Sequence, residues 1–140
     1  MNFNITTIIF SFLFILSFNG VLSINSNAPL TRYQIWIAND LSNALFLHCW
    51  SKSNDLGTHF INYGDGFHWH FRENLWQSTK YKCEFVWNTK TITFNVFDRG
   101  LSGKCRGRGD ICYWLVTENG FYFANYLNPF PSDLKFMYSW

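Results

Sequence analysis

Residues that favour a helix are scarce in this sequence. Alanine, glutamate and lysine are few, whereas aromatic residues make up 21% of the 140 residues, and aromatic and β-branched residues favour strands. Charged residues account for only 14%, and a net charge of +2 is too small to indicate nucleic-acid binding. The chain has no internal repeat and no linker, and its length is that of one domain. The composition therefore predicts a single, mainly β domain.

Long apolar runs are absent except near the N-terminus, where residues 5–18 carry no charge. This run is shorter than the roughly 20 residues that span a bilayer. Val21 and Ser23 suit the positions that precede a signal-peptidase cut. A membrane anchor is the alternative, but we predict a signal peptide over residues 1–23 and a mature domain over residues 24–140. We expect a secreted, extracellular protein with no stable membrane insertion after cleavage.

Cysteines spaced as C-x2-4-C, which would indicate a zinc site, are also absent. Four cysteines in a small secreted domain indicate two disulfides instead. These are Cys49, Cys83, Cys105 and Cys112. Three pairings are open, and the sequence does not choose among them. The inward positions predicted for Cys49 and Cys112 favour a bond between these two, which would leave Cys83 to bond Cys105.

Short segments of alternating apolar and polar residues, separated by turns, run through the mature chain. The clearest is a β-hairpin, in which residues 80–87 and 91–96 alternate on either side of the turn at residues 88–90. The stretch 45–57 combines a strand, a cysteine and a polar turn ending at Gly57, which can adopt a positive φ. We count seven or eight strands and no convincing helix. The spacing predicts a small antiparallel β-sandwich or barrel, held by two disulfides.

The histidines are the candidates for metal binding or catalysis. His68 and His70 fall on the outer face of one strand and could share a metal, with a third ligand from His48, His59 or a carboxylate. Nothing in the sequence places such a ligand there, so we favour a polar solvent face. No glycine-rich or nucleophile-elbow pattern accompanies His48. We predict that His48 is either an ordinary strand residue or a hydrogen-bonding anchor for the loop that follows it, and we expect no metal, no cofactor and no enzymatic activity.

Exposed loops on a disulfide-held scaffold commonly carry recognition, so the turn at residues 62–66 is a candidate for binding a partner, and two loops are further candidates. One is the polar loop that contains Lys52, Asn54 and Asp55. The other is a basic loop around Cys105, with the cations Arg99, Lys104, Arg106 and Arg108. An acidic receptor patch, an acidic wall polysaccharide or an anionic membrane would suit the basic loop, and an ordinary solvated loop is the alternative. The aromatic residues are expected to pack inward, Trp76 included.

Several blocks of residues, taken in order, form a recognisable pattern over the mature chain. They are Ile35-Trp36-Ile37-Ala38-Asn39-Asp40-Leu41, Leu47-His48-Cys49-Trp50-Ser51-Lys52 followed by Asp55-Leu56-Gly57, Trp69-x-Phe71 with Trp76 and Thr79, Tyr81-Lys82-Cys83-Glu84-Phe85, Cys105 with Cys112-Tyr113-Trp114, and Asn119-Gly120-Phe121-Tyr122 with Trp140. With these blocks the chain resembles the plant self-incompatibility protein family, the S-protein homologues. It departs at Asn54, where the family commonly has an acidic residue, and at Gln77-Ser78, which loosens the tryptophan–threonine spacing.

The resemblance implies a secreted, disulfide-linked β-sandwich that acts as a small extracellular signalling or recognition protein. The family's founding members inhibit self pollen through a pollen-side receptor, a role that we do not transfer to this chain. We expect a monomeric, non-enzymatic ligand of a cell-surface receptor or another extracellular protein, with no nucleic-acid partner. The alternatives are a wall- or membrane-acting defence protein that uses the basic loop, and a secreted hydrolase or nuclease.

Overall fold

The computed structural model of the protein describes residues 30–140. Its strands are β1 (Arg32–Asn39), β2 (Leu45–Trp50), β3 (Asp55–Ile61), β4 (Gly66–Arg72), β5 (Tyr81–Trp87), β6 (Lys90–Phe97), β7 (Ile111–Thr117), β8 (Gly120–Ala124) and β9 (Lys135–Tyr138). A short helix, α1 (Arg99–Cys105), joins β6 to β7, and a 3₁₀ helix covers Pro131–Asp133. The predicted signal peptide and its cleavage site lie outside the described residues.

Two sheets pack face to face, which confirms the predicted β-sandwich. The first sheet has the strand order β4-β1-β7-β8-β9 and the second has the order β3-β2-β5-β6. Neighbouring strands are antiparallel, except that β1 and β7 run parallel. The predicted hairpin is β5–β6. The described chain has nine strands rather than seven or eight, because the segment after the polar loop is a full strand that begins at Asp55.

Aromatic side chains fill the space between the sheets. Trp114 of β7 is fully buried, and its Nε1 donates to the Val96 carbonyl oxygen of β6 at 3.0 Å, which links the two sheets. The Phe94 ring lies 5.1 Å from that of Trp114 and 5.0 Å from that of Phe85. Each buried ring removes a large apolar area from water. Most of the core is therefore made of strand residues.

The predicted disulfide pairing is wrong: Cys49 bonds Cys83, and Cys105 bonds Cys112. Cys49 and Cys83 are direct neighbours across β2 and β5, with Cα atoms 4.1 Å apart. Cys112 faces the core from the other sheet, and packed sheets lie about 10 Å apart, whereas a disulfide needs Cα atoms within about 7 Å. Cys105 ends α1 with its Cα 4.9 Å from that of Cys112. The alternation along a strand thus shows that a cysteine faces the core, but it does not show which cysteine it bonds.

Helix α1 corrects the expectation that the chain has no convincing helix. Gly100 and Gly103 disfavour a helix intrinsically. Asp98 caps it, because its Oδ1 accepts a hydrogen bond from the Leu101 backbone N–H at 3.0 Å. Leu101 and Cys105 are buried against the core. The cap at Asp98, the burial of Leu101 and the disulfide of Cys105 therefore stabilise a helix in a segment of weak helix propensity.

Candidate partner-binding surface

The three longest connections of the described chain lie at one end of the sandwich. The strand directions place residues 73–80, 98–110 and 125–134 there, together with the shorter connection 51–54. We call this the loop end. The opposite end carries shorter connections, including the two-residue turns at residues 88–89 and 118–119. The two loops predicted to bind a partner, around Lys52 and from Arg99 to Arg108, therefore lie at the same end, whereas the candidate turn at residues 62–66 lies at the opposite end.

The loop end is also the basic end of the molecule. Of the 11 lysine and arginine residues, Lys90 lies at the opposite end, and the other ten lie in loop-end connections or within two residues of a strand terminus there. Asp40, Asp65 and Glu118 lie at the opposite end with Lys90, whereas Asp55, Glu73, Asp98, Asp110 and Asp133 lie at the loop end, where the ten cations outnumber them two to one. Charge is thus separated along the sandwich, although the net charge is only +2. A patch of one sign raises the local potential and steers a partner of opposite charge.

The β2–β3 loop combines exposed side chains with an internal anchor. Lys52 and Asn54 are exposed, whereas Asp55 is bonded within the protein. One Asp55 oxygen hydrogen-bonds His48 Nε2 at 2.8 Å and accepts from the Gly57 N–H at 2.8 Å. The Gly57 bond, and then the His48 bond, lower the pKa of Asp55. Of the two roles predicted for His48, that of a loop anchor is confirmed, as is the positive φ of Gly57, which is 77°.

The α1–β7 segment, residues 98–110, presents two of the predicted cations on a helix. Arg99 and Lys104 are exposed on α1. Since Cys105 ends that helix and bonds Cys112 at the start of β7, the helix is fastened directly to the first sheet.

The other two predicted cations contact tyrosine side chains. The Arg106 Nε donates to the Tyr33 hydroxyl at 3.2 Å. That bond raises the pKa of Arg106, and nearby Glu73 acts in the same direction, so the guanidinium stays charged. The Arg108 guanidinium lies 4.8 Å from the centroid of the Tyr126 ring, within the range of a cation–π contact. These contacts limit where the two cations can point.

A groove that the sequence did not reveal lies beside the β2–β3 loop. It has a volume of about 770 Å³ and opens between residues 50–53 and the β4–β5 connection. Four cations line it: Lys52, Arg72, Lys80 and Lys82. The alternation of Lys80 and Lys82 is visible in the sequence. Their position beside Lys52 depends on the pairing of β5 with β2, where Lys82 lies opposite Trp50.

The β4–β5 connection, which lines this groove through Asn74, Ser78 and Thr79, also carries an exposed apolar tip. Trp76 is 83% exposed and Leu75 is 76% exposed, so the expectation that Trp76 packs inward is wrong. Asn74 closes the loop on itself: its Oδ1 accepts from the Ser78 N–H at 2.8 Å, and its own N–H donates to the Thr79 Oγ1 at 2.9 Å. These hydrogen bonds close the loop without burying Trp76.

Residues 34–140 match the family model described as plant self-incompatibility protein S1. The chain belongs to this family. It is 33% identical to S-protein homolog 2 of Arabidopsis thaliana over 108 residues, which cover 73% of this chain and 66% of that protein. It is 34% identical to S-protein homolog 5 of the same plant over 76 residues, or 54% of this chain and 57% of that protein. The chain thus spans somewhat less than two thirds of these two relatives.

A solved structure supports the family's fold for this chain. It is described as belonging to the SPH (self-incompatibility protein homologue) proteins, a widespread family of small, highly stable, secreted proteins from plants. It covers 71% of this chain and 90% of its own, with a TM-score of 0.55 and 16% sequence identity. Since family membership rests on the match over residues 34–140, the predicted secreted, extracellular location follows from the family. Among residues 30–140, no helix is long and apolar enough to cross a membrane.

The histidines of this family member lie on strands. His68 and His70 point outward from β4, as predicted, and the His68 ring stacks on that of Trp36 at 3.9 Å. The His59 Nε2 hydrogen-bonds the Leu56 carbonyl oxygen at 2.8 Å. Across residues 30–140, no group of three or more histidine, cysteine, aspartate or glutamate side chains is placed to hold a metal ion.

Proposed function

We propose that this secreted family member is a non-enzymatic recognition protein, a ligand that binds a cell-surface protein through the α1–β7 segment and the loops beside it. The observation that carries the proposal is the collection of ten of the 11 basic residues at the loop end. The partner would present an acidic patch. Complementary charge of this kind speeds association and selects among partners.

The α1–β7 segment suits this task because it is ordered before a partner arrives. The Cys105–Cys112 bond closes the segment, and the Asn125 side-chain amide donates to the Arg106 carbonyl oxygen at 3.3 Å. Side chains that are already held lose less conformational entropy on binding, so more of the contact energy appears as affinity.

The setting of His48 supports a structural role over a catalytic one. Its ring is tied to Asp55, which in turn holds the turn at Gly57. A nucleophilic site would need a hydroxyl or thiol within reach of the imidazole. Activity on RNA or wall glycans that His48→Ala abolishes would overturn the non-enzymatic proposal in favour of a hydrolase or nuclease.

Binding to wall-free plant cells tests the ligand proposal. Labelled protein is expected to bind saturably, and protease treatment of the cells is expected to remove the binding. Arg108→Gln should weaken binding about fivefold, near the upper end for one exposed charge. The matched substitution Lys90→Gln, at the opposite end, should change binding less than about twofold, since the same charge is lost away from the proposed surface.

Two outcomes would contradict the ligand proposal. One is binding that survives protease treatment of the cells. The other is equal weakening by Arg108→Gln and Lys90→Gln, which would indicate dependence on net charge alone. Binding to anionic vesicles that disappears when Arg99, Lys104, Arg106 and Arg108 become glutamine would instead favour a membrane-acting defence protein.

A further inference from the structure

We propose that the groove at the loop end binds a linear acidic polysaccharide, a chain of sugars that bear carboxylates. This activity goes beyond the receptor proposal, because it requires only the groove and the tip beside it. Three features carry the inference: the charge of the groove, its uncharged lining and the exposed indole on the loop that lines it.

The charged side chains that line the groove are all positive. Lys52, Arg72, Lys80 and Lys82 line it, and within residues 30–140 no acidic side chain does. The nearest acid along the chain, Glu73, is only 4% exposed, whereas its neighbour Arg72 is exposed. Successive residues of an extended chain alternate in direction, so Lys80 and Lys82 face the same side. Four cations lining one groove match a ligand that carries several carboxylates.

The uncharged part of the lining suits a ligand rich in hydroxyl groups. Ser51, Ser53, Ser78 and Thr79 contribute hydroxyls beside the cations. A hydroxyl both donates and accepts hydrogen bonds. Sugar hydroxyls have the same dual capacity, whereas an acidic peptide offers few such groups. The lining therefore favours a sugar polymer over a polypeptide.

The β4–β5 loop that lines the groove also offers a ring for a sugar to pack on. Trp76 projects from the β4–β5 loop, and Asn74 and Ser78 on either side of it line the groove. The internal hydrogen bonds of Asn74 fix this loop, so packing on the indole requires little further ordering. A bilayer is flat and would reach only the rim, whereas an extended polymer can lie within the concave groove along its cations.

Titration of the secreted protein with unesterified oligogalacturonate tests the inference, with the methyl-esterified oligomer as the uncharged control. Calorimetry is expected to show saturable binding of the acid form, weaker at high salt, and no binding of the ester. Lys80→Gln/Lys82→Gln should weaken binding at least about tenfold, because two positive charges that line the groove are lost. Trp76→Ala should weaken binding about fivefold, because the sugar loses its packing on the indole. Arg99→Gln/Lys104→Gln, with the same charge change on α1, should stay within about twofold.

Several results would overturn the inference. These are the absence of saturable binding by the wild-type protein, equal binding of the esterified oligomer, and equal losses in the groove and α1 variants. Tighter binding to polyglutamate, or to vesicles containing anionic lipid, would assign the groove to a protein or membrane partner instead. Equal urea midpoints for all variants exclude unfolding as the cause. The components are purified, so the result does not depend on whether a receptor exists.

Discussion

The two disulfides should differ in how much they stabilise the fold, because they close loops of different length. Cys49 and Cys83 are 34 residues apart, whereas Cys105 and Cys112 are seven apart. The loop-closure relation gives about 3.8 kcal/mol for the first bond and about 2.4 kcal/mol for the second at 25 °C. Cys49→Ala/Cys83→Ala should therefore lose about 1.4 kcal/mol more stability than Cys105→Ala/Cys112→Ala.

The comparison is well matched because all four cysteines are fully buried. Each double variant removes two buried sulfur atoms, so the packing loss is similar and the difference reflects loop length. Urea unfolding followed by circular dichroism measures it. With a slope of about 1.5 kcal/mol per molar, the loop-closure terms alone should lower the midpoint by about 2.5 M and about 1.6 M, respectively.

Two results would refute this reasoning. If removing the Cys105–Cys112 bond costs as much as removing the other, loop closure is not what sets the difference. If peptide mapping of the oxidised protein links Cys49 to Cys112, the pairing itself is wrong. A functional contrast follows from the structure, since the shorter bond holds the α1–β7 segment. Its loss should impair binding to cells and leave the groove's binding of oligogalacturonate unchanged.

Two further substitutions test local features. Gly120→Ala should cost about 2 kcal/mol or more in urea unfolding, because the new Cβ would collide with the Tyr138 carbonyl oxygen; Gly57→Ala, also at positive φ but in open space, should cost about 1 kcal/mol. Asp55→Asn should be less stable than the wild type at neutral pH and equally stable in strong acid. The folded pKa of Asp55 is lowered, so its contribution is present above the unfolded pKa of about 3.9 and is lost as the pH falls through the folded pKa.

The strands could be predicted because their side chains alternate between apolar and polar. Most strand pairings could not be predicted, because they join segments that are distant in the sequence. The β5–β6 hairpin combines clear alternation with a two-residue turn, so its pairing follows from the chain alone. Cys49 also alternates inward, but its bond to Cys83 depends on β2 lying beside β5, with 30 residues between these strands. Helix α1 was missed for a related reason: the burial of Leu101, which stabilises it, is tertiary.

The candidate site likewise has a part that the sequence predicts and a part that only the fold reveals. The basic run from Arg99 to Arg108 is contiguous, so the sequence alone identified it as a surface. The groove combines Lys52 of the β2–β3 loop with Arg72 and Lys80, which flank and end the β4–β5 connection, and only the sandwich brings these two segments together. Trp76 shows the limit of a composition rule, since aromatic residues usually pack inward and this one is held out by the hydrogen bonds of its own loop.

Substitutions of exposed cations at the loop end should change binding without changing stability, because the core lies elsewhere. Stability resides in the buried rings between the sheets and in the two disulfides; of the basic residues, Arg106 contacts this core through Tyr33, and Lys90 through Trp87. Exposed substitutions away from caps, turns and buried networks usually change stability by less than about 0.5 kcal/mol. Lys80, Lys82, Arg99 and Lys104 meet that condition. Binding at the loop end can therefore change by an order of magnitude while the unfolding midpoint stays fixed, so loss of binding in these variants reports on the surface rather than on the fold.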